Sequence, residues 1–309
     1  MIGLTSKTAA DSVNENQGLA VTLDELIYQQ SYLPYLSFSQ NKLTSQNAGD
    51  TQSAFKGRGM EFEEVRAYNF GDDVRDIDWR VTARRGEPYT KVFREEKDRE
   101  IVVVLDLSSS MVFGTRNELK SVTAAKTAAL IGWLTHKYKD RFGLLLFDGK
   151  DTTYFKPQND IANLMHIFQH IAKKTHDVLI NQYDSDIGAA LDVLQYHQKG
   201  QGTVFILSDF HNFGPDRFDK IAILSKKHSV CCVNIYDIVE ELAPQDGVYA
   251  AQCDSQKTVF DTGTEEFTAK YKQYFHQQRE LLRRNCQKFL CGYIEIRTDI
   301  PIFKQLSRI

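Results

Sequence analysis

No run of apolar residues in this 309-residue chain approaches the roughly 20 that a membrane-spanning helix needs. The first residues, MIGLTSKTAADSVNENQ, lack the apolar stretch behind basic residues that marks a secretory signal. The expectation is therefore a cytoplasmic protein without membrane insertion. An excess of either charge is missing too: 38 Lys and Arg stand against 41 Asp and Glu, giving a net charge of -3 and a pI near 6.3. Such a balance gives no global field for nucleic acid or an anionic membrane. Cysteine is scarce and odd in number, five in all (Cys231, Cys232, Cys253, Cys286, Cys291), with no C-x-x-C pair matched by a second. Neither a zinc ribbon nor a disulfide framework is expected, only reduced and partly buried thiols. Internal repeats and low-complexity tracts are absent as well.

What is present is the balance of a soluble globular chain, 42% hydrophobic and 26% charged. Three textures follow one another. Residues 1–56 are polar, with a short helix expected over 21–36 (VTLDELIYQQSYLPYL) that ends at Pro34, and then a Ser/Gln/Asn-rich link. Residues 57–99 mix charges of both signs with Phe62, Val65, Tyr68, Ile77, Trp79, Tyr89, Val92 and Phe93, which suggests short strands and turns in a small β-rich appendage. From 100 to 309 strand and helix alternate. EIVVVLDL reads as a strand buried on both faces, RNELKSVTAAKTAALIGWLTHKY as a long helix, RFGLLLFD as a second strand and TTYFKP as a short third. Two helices lead to the strand GTVFILSD, and FDKIAILSKKH is the helix before the strand SVCCVNIYD. A hairpin is expected over 247–261, then a long helix opened by a capping box of Thr262 and Glu265, then the strand GYIEIR. Strands joined by such helices imply an α/β fold, a mostly parallel sheet flanked by helices, whose ligands gather at the carboxyl ends of the strands.

The stretch IVVVLDLSSSM places Asp106 where the first buried strand runs out, with Ser108 and Ser110 on the loop behind it. One loop then offers a carboxylate and two hydroxyls. Mg²⁺ takes oxygens in an octahedron and keeps some waters, so this donor set suits it, while the absence of sulfur and imidazole argues against zinc or copper.

In this context D-x-S-x-S resembles the metal-ion-dependent adhesion site (MIDAS) of von Willebrand factor type A domains, whose fold is a Rossmann-like sheet flanked by helices. That resemblance implies two further loops. One is similar to Tyr183-Asp184-Ser185-Asp186-Ile187-Gly188, where Ser185 stands in place of the usual Thr, and the other to Leu207-Ser208-Asp209-Phe210, where many relatives have S-D-G. The implied ligand set is Asp106, Ser108, Ser110, Ser185 and Asp209, holding Mg²⁺, with Mn²⁺ or Ca²⁺ as substitutes. A longer block, GRGMEFEEVRAYNFGDDVRDIDWRVTARRGEPYTKVFREEKDREIVVVLDLSSSM, closely resembles the signature of domain of unknown function 58. Those bacterial and archaeal proteins have a von Willebrand type A core and are commonly encoded beside MoxR-type AAA+ ATPases. The resemblance implies an adaptor or assembly factor for such an ATPase and its clients, joined through a partner's acidic residue at the metal. Membrane-bound von Willebrand type A partners are compatible with it, and the chain itself resembles a soluble short form.

Within the charged block, Arg66, Arg75, Arg80 and Arg84 are expected to pair with Glu61, Glu64, Asp73 and Asp78, and Trp79 to be the apolar anchor of the appendage. The alternative is a docking face for an acidic partner. An enzyme reading draws on Asp78 with Glu95-Glu96-Lys97, a loose D…E-x-K nuclease spacing, or on Asp106 as a phosphohydrolase nucleophile. The first match is cheap in a segment so rich in charge. The second lacks an acid/base carboxylate because position 108 is Ser, and His211 reads as a solvated loop residue. The balance favours a binding module over a catalyst.

Overall fold

The structure, a computed structural model, describes residues 18–36, 60–95, 99–183, 187–198, 200–211, 213–244, 247–253 and 256–306. It divides into two compact units, residues 1–45 together with 99–309, and residues 46–98.

In the larger unit six strands form one sheet. They are β3 (Glu100–Asp106), β4 (Arg141–Phe147), β5 (Thr152–Gln158), β6 (Gly202–Ser208), β7 (Ser229–Tyr236) and β10 (Gly292–Arg297), in the spatial order β10-β7-β6-β3-β4-β5. All neighbours run parallel except β5, which returns antiparallel along β4. The alternation of a strand divides its side chains between the two faces. Val103 and Leu105 join one apolar cluster with Leu144 and Leu146, while Val102 and Val104 join the other with Leu145 and Ile206. Both faces are therefore dry, which is why these strands read as unbroken apolar runs.

Helices cover each face. On the first lie α1 (Leu23–Tyr28), α3 (Lys120–Lys137), α4 (Ile161–Ile180) and the short α9 (Ile302–Leu306). On the second lie α5 (Ile187–His197), α6 (Pro215–Ser225) and α8 (Glu265–Lys288). Fifteen of the 18 residues of α3 are buried, because the N-terminal segment packs on its outer side. Trp133 Nε1 donates to the Leu26 carbonyl at 3.0 Å and the Val21 amide to Thr175 Oγ1 at 3.2 Å. The segment expected as one helix over 21–36 is α1 followed by a 3₁₀ turn, Gln29–Tyr35, that contains Pro34.

The hairpin expected over 247–261 is present as antiparallel β8 (Val248–Cys253) and β9 (Gln256–Asp261). The capping box expected of Thr262 and Glu265 does not form. Thr264, not Thr262, caps α8 by accepting the Phe267 amide at 3.3 Å, and the Thr262 hydroxyl donates to the Gly247 carbonyl at 3.1 Å. A turn partner fifteen residues back outcompetes the helix for that hydroxyl.

The smaller unit holds antiparallel β1 (Met60–Ala67) and β2 (Tyr89–Glu95), with α2 (Trp79–Arg85) between them. Asp78 caps α2 by accepting the Arg80 and Val81 amides, and Gly86 ends it at φ +77°. Arg66 pairs with Asp72 and Arg75 with Asp73, both at 2.8 Å, while Lys91 is the cation nearest Asp78 at 3.9 Å. Of the expected pairs, Arg75 with Asp73 forms; Arg66 finds Asp72, and the side chains of Glu61 and Glu64 lie outside the described residues. At the first turn of α2 Trp79 is 67% exposed, so it does not form an apolar centre within this unit. Caps, turns and strand pairing hold the unit together.

Candidate metal centre

Asp106 ends β3, and Ser208 ends β6, its neighbour in the sheet. The connection leaving β3 leads to β4 on one side, and β6 lies on the other, so the loops after β3 and β6 diverge around a crevice. This is the switch point at which open α/β sheets bind ligands. The loop after β3 is pinned from both sides: Leu107 N donates to Phe147 O at 2.8 Å and Ser109 N to Tyr183 O at 3.1 Å. A 3₁₀ turn, Ser109–Met111, then folds the three serines back on themselves.

Asp106 is 3% exposed. Its Oδ1 accepts the Ser108 amide at 2.9 Å and its Oδ2 the Ser208 hydroxyl at 2.6 Å. Burial pushes its carboxyl up to about 6, and the charge of Asp209 adds to that, against the hydrogen bonds from Ser208 and Ser108. Ser108 Oγ and Ser110 Oγ are 3.5 Å apart, and Ser110 Oγ donates to Asp209 Oδ1 at 3.2 Å. Four of the five expected ligands, Asp106, Ser108, Ser110 and Asp209, thus converge. Ser185 lies outside the described residues; Tyr183, two positions before it, accepts the Ser109 amide.

Sequence reasoning missed Lys120. Its side chain is 2% exposed, and its ammonium donates to Asp209 Oδ2 and to Glu240 Oε1, each at 2.7 Å. Burial acts to push the Asp209 carboxyl up, but the Lys120 charge and hydrogen bond, with the His211 amide, outweigh it and hold it below the usual range. For Lys120 burial is likewise outweighed, by Asp209 and Glu240, and the ammonium is held above its ordinary range. One signal for it was legible. A lysine opens α3, where the helix dipole disfavours a cation, and no side chain caps that end. The residue is there for its partners, not for the helix.

The donor set fits a hard divalent cation. It consists of oxygen throughout, and Asp106 is a buried carboxylate whose charge no basic side chain among the described residues pairs. A cation beside it would relieve that burial cost. The enzyme reading finds less support. Both oxygens of the buried Asp106 already accept hydrogen bonds, Asp78 serves as a helix cap, and the side chains of Glu95 and Lys97 lie outside the described residues. His211 is exposed, and its backbone amide donates to Asp209 Oδ1 at 3.0 Å.

Beside Asp209 a cleft of about 200 Å³ opens between the loop after β6, the end of β7 and α8, walled by Phe210, Phe213, Tyr236, Tyr274 and Phe275 with Arg279 among them. Arg279 pairs with Glu295 and Glu241 and lies over the Tyr236 ring, 4.9 Å from its centroid.

A parallel sheet with one antiparallel edge, helices on both faces and a D-x-S-x-S loop at the carboxyl end of its central strand is the Rossmann-like arrangement of a von Willebrand factor type A domain. The chain belongs to the family described as "Protein of unknown function DUF58", whose model matches residues 64–281. A relative from Mycobacterium bovis, "Uncharacterized protein Mb1516", is 29% identical over 199 residues, covering 64% of this chain and 62% of that protein. "Uncharacterized protein YeaD" of Bacillus subtilis is 24% identical over 174 residues, covering 56% of this chain and 39% of that protein. The chain thus spans less than two thirds of the length of these curated relatives. Among solved structures, BatB from Bacteroides thetaiotaomicron is similar at 16% identity, 68% coverage of this chain, 96% of that one and a TM-score of 0.41. The SpRpn10 VWA domain is similar at 11%, 69%, 93% and 0.36. The fold assignment rests on the strand order and loop placement.

Proposed function

We propose that this protein is a non-enzymatic interaction module whose Asp106, Ser108, Ser110 and Asp209, with Ser185 from the second loop, hold Mg²⁺ at the carboxyl end of the sheet. The observation that carries the reading is the buried, unpaired charge of Asp106 among neutral hydroxyls. Serine oxygens add ligands without adding charge, so a cation held there keeps attraction for a further carboxylate. An Asp or Glu of a partner protein supplies it, and the cation becomes part of the interface. The resemblance to domain of unknown function 58 proteins makes a MoxR-type AAA+ ATPase and its clients the partners proposed, in the cytoplasm. Among the described residues no helix is long and apolar enough to cross a membrane.

Thermal melting tests the metal. A ligand that binds only the native state adds about 2.7 kcal/mol at a hundred times its Kd, so millimolar Mg²⁺ or Mn²⁺ raises the melting temperature of the parent and leaves that of Asp106→Ala unchanged. Equal shifts in both would refute the site. In pull-downs, the ATPase or its client is lost with EDTA, regained with Mg²⁺ and lost again in folded Asp106→Ala; binding that ignores all three would place the partner on another surface.

A further inference from the structure

The metal loops leave one charged side chain unexplained. Lys120 is among the largest fully buried side chains of the described residues, and burying an ammonium is costly unless it is paired. Its partners are Asp209 Oδ2 and Glu240 Oε1, both at 2.7 Å. Glu240 is held from behind. Its other oxygen accepts the Asp237 amide at 2.7 Å, in the capping box of α7 (Ile238–Glu241). The Phe113 ring, with its centroid 5.5 Å from Nζ, closes the remaining side. Asp209 Oδ1 meanwhile accepts from Ser110 and from the His211 amide. Asp209 and Glu240 thus share one ammonium, while Asp106, near enough to Asp209 for their charges to act on each other, has no basic partner among the described residues. Three carboxylates against one ammonium leave two negative charges for an added cation.

We infer that Lys120 and Glu240 belong to the metal centre as its charge-setting pair: the Lys120 ammonium is the resident counter-ion of Asp209 and weakens divalent-cation binding, and Glu240 returns part of what Lys120 takes away. This rests on the metal reading above but assigns roles to two residues outside the adhesion-site loops. Neither residue is proposed to touch the cation; both act through Asp209. The ordering follows from charge. Removing Lys120 leaves three negative charges, removing the charge of Glu240 leaves one, and removing both restores two. At an effective dielectric constant near 20, unit charges a few ångströms apart interact by several kcal/mol, so even a heavily screened effect exceeds a tenfold change in Kd.

The test is Mn²⁺ binding to the full chain, measured by titration calorimetry and by the electron paramagnetic resonance signal of free Mn²⁺, in the parent, Lys120→Met, Glu240→Gln and the double variant. Melting in EDTA checks that each is folded. Lys120→Met should bind at least tenfold more tightly, Glu240→Gln at least threefold more weakly, and the double variant within threefold of the parent. A merely structural role for Lys120 would weaken binding in the single variant and more so in the double. That result, or no change in any variant, overturns the inference. Should Lys120→Met not fold without metal, the weakening in Glu240→Gln and its recovery to within threefold of the parent in the double variant still decide it. If the parent binds no Mn²⁺ and Lys120→Met does, the metal-dependent function falls while the counter-ion role stands; if neither binds, both fall.

Discussion

Phe210 shows how one residue can trade backbone strain against packing at this site. It follows Asp209 in a loop where related domains often have glycine, and its backbone lies in the left-handed region at φ +50°. For a residue with a Cβ that conformation costs about 1–2 kcal/mol. The ring repays it, being 7% exposed and packed edge-to-face on Phe213 at 5.2 Å, which in turn meets Phe218 at 4.9 Å. Truncating a buried Phe costs about 3–5 kcal/mol, so packing outweighs strain. Phe210→Gly should lower the stability measured by urea unfolding by about 1–4 kcal/mol while Mn²⁺ still binds, since Asp209 keeps its contacts. A more stable variant would show that the ring is not packed as described. Lys120 marks the limit of reading residues one at a time. Its partners lie 89 and 120 positions away, and nothing local in KSVTAAK announces them, whereas Asp106, Ser108 and Ser110 share one loop and declare themselves by spacing.

Among the elements, the strands were legible because burial on both faces leaves a continuous apolar run with an acid at its end, as in β3 and β6. The long helix was legible as a helix but not as a nearly all-buried one. Its outer cover comes from residues 18–36, about a hundred positions earlier in the chain, and the polar tail ahead of them gives no hint of docking. Trp79 fails in the opposite direction, an aromatic that sequence reasoning buries and the fold exposes. The docking of the N-terminal segment turns on Gly18, at φ +85°, whose carbonyl accepts the Leu119 amide at 2.9 Å at the uncapped start of α3. A Cβ there would lie 2.3 Å from the Asn117 carbonyl oxygen. Gly18→Ala is therefore expected to cost about 1–3 kcal/mol of backbone strain and to loosen α1 from α3. Faster protease cleavage within residues 18–36 together with a lower melting temperature would bear this out, and an unchanged digestion pattern would count against it.

Across the whole molecule, the two ends of the sheet carry different polar clusters. The proposed metal centre lies at the carboxyl ends of β3 and β6, and a second polar cluster lies at the amino ends. There Glu100, at the start of β3, pairs with Arg141 at the start of β4 at 2.8 Å and accepts a hydrogen bond from Gln198. His228, just before β7, is 4% exposed, and its Nδ1 has no hydrogen-bond partner among the described residues. Burial holds its imidazolium below the usual histidine range, Lys227 adds to that, and Glu100 opposes it. His170 on α4 is lowered as well, by burial and then by His166, Lys173 and Lys174. A histidine whose folded pKa is depressed takes up its proton more readily in the unfolded chain. Stability is therefore fully present above the unfolded value near 6.5 and is lost as pH falls through it toward the folded value. Between pH 7.5 and 5.5 His228 and His170 lower the urea midpoint, while Asp106, whose carboxyl is raised to about 6, takes up its proton more readily in the folded chain and raises it. The histidine contribution is therefore read as a difference between proteins: on going from pH 7.5 to 5.5 the midpoint of His228→Leu, which lacks the titrating ring and the orphaned nitrogen together, should shift upward relative to that of the parent. Because that cluster lies at the far end of the strands, Mn²⁺ affinity at pH 7.5 should be the same in His228→Leu and the parent. An unchanged slope, or a changed Mn²⁺ affinity, would contradict this division between the two ends of the sheet.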